Sequence, residues 1–85
     1  MKLNENYVLR QVAGTWVVLP MGTATVNFNG MLTLNESGAM LWQALEQGKD
    51  PVEALTAEYA VTRDQAAADV AEFLEKLRSA GCLEV

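Results

Sequence analysis

The 85-residue chain has no histidine and a single cysteine, Cys82. Without imidazole, a Ser-His or Cys-His nucleophilic pair cannot be built and the commonest transition-metal ligand is missing, which removes most hydrolase mechanisms. A single cysteine excludes an internal disulfide framework and fits a reducing compartment. Close to the end of an apolar tail, Cys82 reads as small packing material and not as a nucleophile. The six glycines fall into neither G-x-G-x-x-G nor P-loop spacing, so no phosphate cradle is present. Asp69, Glu72 and Glu75 read as a solvated helix face, and no ligand set forms a metal cage. No catalytic residue, metal or cofactor is therefore expected.

Charge is the next absence. From Gln11 to Asn35 there is no Lys, Arg, Asp or Glu, although 20% of the whole chain is charged. Gly14, Pro20, Gly22, Asn27, Asn29 and Gly30 interrupt the run, so it is not a membrane span. Residues 1 to 6 contain no apolar segment of signal-peptide type, and a cytoplasmic protein is expected. Charge on an edge strand is the usual guard against pairing with another chain, so a strand region without it is open to accept a strand. Beyond residue 35 there are ten acids against four bases, and the chain as a whole carries a net charge of -5. Phosphate neutralisation needs a clustered basic face, so this asymmetry argues strongly against a nucleic-acid partner.

A chain of this length makes one domain, residues 1 to 85, with one modest core. Tyr7 to Val12 and Thr15 to Leu19 read as antiparallel strands joined at Ala13-Gly14. Pro20-Met21-Gly22 breaks the second strand. Thr23 to Phe28 and Met31 to Leu34 then suggest another hairpin around Asn29-Gly30, with Leu32 and Leu34 on the core face. Asn35 caps a first helix with Ala39, Leu41, Trp42 and Leu45 inward, ending near Gly48. Asp50, Pro51 and Glu53 form a capping-box start for a short helix with Val52, Leu55 and Tyr59 inward. Thr62 with Gln65 repeats that pattern and opens the longest helix, which Gly81 closes before an extended tail, Cys82 to Val85. Its apolar stripe is Ala66, Val70, Phe73, Leu74 and Leu77. A flank of small side chains, Ala67 and Ala71 with Leu74, offers a shallow groove beside a neighbouring strand. Trp16 and Trp42 are the large anchors, core or semi-core residues and not stacking platforms. Gly38, early in a helix at a cost of about 1 kcal/mol relative to Ala, marks tight packing against the sheet or close approach of another backbone. Strands followed by three helices give an α+β fold of winged helix-turn-helix proportions.

The segment Phe28-Asn29-Gly30-Met31-Leu32-Thr33-Leu34-Asn35-Glu36-Ser37-Gly38-Ala39, followed by Leu41-Trp42, resembles the signature of the PqqD-like family. Arg10, Val17-Val18-Leu19-Pro20, the Asp69-Val70-x-x-Phe73-Leu74-x-x-Leu77 helix and the Gly81-Cys82-Leu83 ending extend the resemblance over nearly the whole chain. It implies a RiPP recognition element: a non-catalytic domain that captures the leader segment of a ribosomally made precursor peptide. It further implies a modifying enzyme as partner, often a radical SAM protein, and a fold of three antiparallel strands followed by three helices. The leader adds as an antiparallel strand, so the resemblance places peptide contacts on Asn29, Gly30, Met31, Leu32, Thr33 and Leu34. The helix wall falls to Ala66, Val70, Phe73, Leu74 and Leu77.

Strand addition draws affinity from main-chain hydrogen bonds and selectivity from pockets for alternate side chains, which suits a charge-free edge. Two other readings remain at this point. A winged-helix transcriptional regulator would need a basic recognition helix, and neither Pro51 to Ala60 nor Arg63 to Ala80 is one. A dimerisation module would pair the unguarded edge with a copy of itself.

Overall fold

The computed structural model describes residues 2–22 and 32–84. Strands β1 (Lys2–Leu3), β2 (Tyr7–Val12), β3 (Thr15–Pro20) and β4 (Leu32–Leu34) lead into helices α1 (Glu36–Glu46), α2 (Pro51–Glu58) and α3 (Arg63–Ser79), and β5 (Leu83–Glu84) follows. The expected strand Thr23 to Phe28, the Asn29-Gly30 turn and Met31 lie outside the described residues.

Ala13 and Gly14 join β2 to β3 with φ of 50° and 81°. Two positive φ values in a two-residue loop make the type I′ turn whose twist matches that of the flanking strands. Its geometry also fixes which main-chain groups face where. Val12 and Thr15 flank the turn as partners and exchange hydrogen bonds across it, and bonded pairs then alternate with non-bonded ones along the ladder. Thr15, Val17 and Leu19 therefore turn their N–H and C=O groups towards β2, and Trp16 and Val18 turn theirs to the other side. There β4 pairs antiparallel, Trp16 opposite Leu34, Val17 opposite Thr33 and Val18 opposite Leu32. The bonded pairs are those of Leu32 and Leu34. Thr33 is left with both main-chain groups directed away from β3.

The sheet order β2-β3-β4 makes β2 and β4 its outer strands among the described residues. Leu34 is buried, Leu32 half-buried and Thr33 exposed, so the apolar pair faces the core as the alternation predicts. Val18, Leu34, Leu41, Trp42, Leu55, Ala66, Val70, Phe73, Leu77 and Cys82 form one core joining sheet and helices. Trp42 is 1% exposed. Its Nε1 has no hydrogen-bond partner among the described residues, a desolvation cost of about 1–3 kcal/mol that the burial of the ring outweighs. Trp16 is only half-buried and packs at the core margin.

Each helix starts at the cap the sequence supplies. Asn35 Oδ1 accepts from the Gly38 N–H at 2.8 Å, Asp50 Oδ1 from the Val52 N–H at 2.9 Å, and Thr62 Oγ1 from the Gln65 N–H at 3.1 Å. The reciprocal halves of the two expected capping boxes go elsewhere. Glu53 pairs with Arg63 at 2.6 Å, and Gln65 donates to Asp69 at 2.9 Å, contacts that link the helices or run along one. Tyr59, expected to point inward, is instead 38% exposed. It is the C-cap of α2 with φ -127° and ψ 147°, so it has left the helical register that would have carried it to the core. At the end of α3 the Cys82 N–H donates to the Leu77 carbonyl and the Gly81 N–H to that of Arg78, the two bonds of a Schellman close.

The tail beyond α3 is more than an extended end. Leu83 and Glu84 pair antiparallel with Leu3 and Lys2, and the Asn4 N–H donates to the Cys82 carbonyl at 2.7 Å. Nothing in the hydrophobic alternation marks Lys2-Leu3 as a strand, because two residues carry no period. Among the described residues no helix is long and apolar enough to cross a membrane.

Candidate functional site

Between the end of β4, the first half of α1 and the middle of α3, with Leu55 of α2, lies an open groove of about 430 Å³. Its floor is apolar, formed by Leu34, Leu41, Leu55 and Phe73, and its rim is polar, with Asp69, Glu72 and Lys76 on the α3 side. Gly38 shapes the near wall. A Cβ there would stand 3.1 Å from Asn35 Oδ1, 3.3 Å from Leu34 Cβ and 3.4 Å from Phe73 Cε1, so the missing side chain lets α1, β4 and the Phe73 ring close on one another. A larger depression of about 550 Å³ lies between α1 and α2, and no strand edge contributes to its lining.

The edge of β4 that is unpaired among the described residues borders the groove. Lys76 Nζ donates to the Thr33 carbonyl at 3.5 Å across its mouth, an independent sign that this carbonyl points outward. The opposite edge is treated in the same way. Leu9 on β2 stands in a non-bonded pair with Val18, so its carbonyl also faces out, and Arg10 Nη1 donates to it at 2.8 Å. The difference lies in who supplies the cation. On β2 the guard is a residue of the strand itself, whereas β4 carries no charge and borrows one from a helix by a single exposed side chain.

Of the residues expected at a peptide site, Asn29, Gly30 and Met31 lie outside the described residues. Leu32, Thr33 and Leu34 form β4, and Leu34 and Phe73 meet in the groove lining. Ala66, Val70 and Leu77 do not reach it. They are 0%, 4% and 0% exposed and form the core behind the groove. Leu74 packs half-buried against the same core, while Ala67 and Ala71 are exposed on its flank. With about 3.6 residues per turn, Asp69, Glu72, Phe73 and Lys76 share one face of α3, and the small-residue flank expected to line a groove lies on the other side. The groove is on the charged flank. Its signal was the i, i+3, i+4, i+7 spacing of those four residues, in which a solitary Lys stands among acids.

The rim carries charge that is free to act. Asp69 accepts from Gln65 through Oδ1, and Glu72 has no ion-pair partner among the described residues. Glu72 sits four residues before Lys76, the favourable order for a helical ion pair, yet the ammonium reaches to Thr33. Arg78 is tied to Glu75 on another face of α3, and holds the Glu75 carboxyl below the usual carboxylate range chiefly by its hydrogen bond. Lys76 is thus the cation among the groove-lining residues.

Comparison with known proteins places this arrangement. The family model described as coenzyme PQQ synthesis protein D (PqqD) matches residues 15–83. No curated protein matches the chain. Among solved structures, TbiB1 in complex with the TbiA(beta) leader peptide is similar with a TM-score of 0.80 and 30% identity, covering 99% of this chain and 95% of that one. Lasso peptide synthetase B1 complexed with the leader peptide is similar with a TM-score of 0.76 and 26% identity, over 95% of this chain and 93% of that one. With the family model matched over residues 15–83, most of the chain, the chain belongs to the PqqD family.

Proposed function

We propose that this domain captures the leader segment of a ribosomally made precursor peptide by adding it as an antiparallel strand to β4, and presents it to a modifying enzyme of radical SAM or other peptide-modifying type. The observation that carries the reading is Thr33, with its N–H and C=O both turned outward beside an apolar groove. A strand laid there gains main-chain hydrogen bonds from Thr33, while alternate side chains drop onto Leu34, Leu41 and Phe73. Both solved relatives carry leader peptides in their complexes, which supports the same role for this chain. The role is binding without catalysis. The acidic rim and the exposed acids of α3 disfavour phosphate, so the nucleic-acid reading gains nothing from the winged-helix proportions.

The test is a titration of the isotope-labelled domain with peptides covering the leaders encoded beside its gene, followed by backbone amide shifts. Shifts and slowed hydrogen exchange at Thr33, with side-chain shifts at Phe73 and Lys76, are expected. Tight binding that leaves Thr33 unmoved would exclude strand addition at β4.

A further inference from the structure

The groove has a direction, and its charges are ordered along it. Lys76 touches Thr33, and Phe73, one turn earlier on α3, lies against Gly38 and Leu34, which come later in the chain than Thr33. As the chain advances from β4 into α1, its neighbour on α3 steps backwards. β4 and α3 therefore run in opposite directions. A strand antiparallel to β4 runs parallel to α3, entering beside Asp69 and Glu72 and leaving beside Lys76.

We infer that Asp69, Glu72 and Lys76 read the charge order of the bound peptide: a basic side chain first, beside Asp69 and Glu72, then an acidic one beside Lys76. The inference rests on the strand-addition reading above and deepens it. The spacing follows from the two periods. Seven residues of helix from Asp69 to Lys76 span about 10 Å at 1.5 Å per residue, and an extended strand covers that in about three residues; same-face side chains recur every second residue, so they meet the two ends at a separation of two or four. At a separation of four, the residue midway between them shares their face and lies towards Phe73. Pairing with Thr33 also explains how Lys76 becomes available. The incoming N–H takes the Thr33 carbonyl that the ammonium occupies in the free domain, and the same strand supplies a carboxylate to receive it. Reversing the peptide's charge order would set a base against Lys76 and an acid against Asp69 and Glu72. Such rim charges act mainly on encounter and on the choice between partners, and their effect shrinks as salt screens them.

The experiment selects binders from a displayed library of random twelve-residue peptides, once with the natural domain and once with the Asp69→Lys/Glu72→Lys/Lys76→Glu variant. All three positions are exposed, and thermal melting checks that the variant folds. For the natural domain, Lys or Arg two or four residues before Asp or Glu should be enriched several-fold, and the variant should enrich the opposite order. Raising the salt from low to molar concentration should erase both preferences. Peptides that shift Thr33 but show no charge order, or the same order with both domains, would overturn the charge reading and leave strand addition standing. Selected peptides that bind without moving Thr33, or a library from which neither domain selects anything, would count against both.

Discussion

Cys82 shows how far a single side chain is committed to packing. It is fully buried in the core that includes Leu77, and burial pushes its thiol up from the ordinary 9.0 to about 11. Burial also raises the nearby Tyr7 hydroxyl, and a Cys82 thiolate would raise it further. Both groups hold their protons more tightly folded than unfolded. The stability due to Cys82 is complete below pH 9 and is lost as pH climbs through about 11, and that due to Tyr7 is lost as pH rises through its own raised value. Denaturant midpoints should stay level from neutral pH to about pH 9 and then fall, and the fall should be shallower in Cys82→Ala, leaving the part due to Tyr7. At pH 8 a thiol reagent should label Cys82 only after denaturant is added. Rapid labelling of the native domain would contradict its burial. Ala13 is a second residue with a definite cost, since its φ of 50° lies in the left-handed region. An L-residue with a Cβ pays about 1–2 kcal/mol there, and Asn pays less because its side chain bonds locally. Ala13→Asn creates the Asn-Gly pair favoured in type I′ turns and should stabilise the domain by about 1 kcal/mol by thermal or urea melting. A loss of stability would mean the turn is of another type.

Proline tests the ladder at the level of the strand. A proline in a sheet is tolerated where its missing N–H would have faced outward and is not tolerated where that N–H bonds a neighbour. Thr33 is of the first kind and Leu34 of the second, by the alternation that starts at the Val12–Thr15 pair. Thr33→Pro should keep a cooperative melt, with a cost of about 1 kcal/mol, and lose the peptide, while Leu34→Pro should cost about 3 kcal/mol or more and abolish the native melt. Equal damage from both would show the parity to be mistaken. Much of this strand was legible in the sequence. Alternation placed Leu32 and Leu34 inward, because a period of two survives even in a strand of three residues. The helix starts were legible too, since Asn35, Asp50 and Thr62 are side chains whose chemistry is local. The groove was not. Which flank of the α3 stripe stays open depends on where β4 and α1 cross it, and the small residues Ala67 and Ala71 suggested the wrong side. Tyr59 was misplaced for a related reason, as helical periodicity was carried one residue past the point where the helix ends.

Across the whole molecule, the elements that build the site are held by a clasp far away in sequence. β1 and β5 contribute two residues each, and the clasp is completed by the Asn4 N–H to the Cys82 carbonyl and an exposed Lys2–Glu84 pair at 3.8 Å. The ion pair is too exposed to matter much, so the holding force comes from Leu3 and Leu83 packed on the core and from the main-chain bonds. No pattern in the first six residues announces this, because the partner strand is some eighty residues distant and pairing at that range leaves no local trace. The Asn4 N–H binds the Cys82 carbonyl and the Cys82 N–H binds that of Leu77, so the clasp runs on through the Schellman close into the end of α3, only a turn beyond Lys76. Replacing Leu3 and Asn4 together by Ala removes a half-buried side chain and the Asn4 amide bond to the Gly81 carbonyl, and should cost about 2 kcal/mol. Two readings report it independently. The denaturant midpoint should drop without a change in slope, and Cys82 should gain reactivity towards a thiol reagent under native conditions through local opening of the clasp. A domain that loses stability while Cys82 stays protected would place the cover of that thiol elsewhere, and would make the terminal strands a consequence of the α3 close instead of its support.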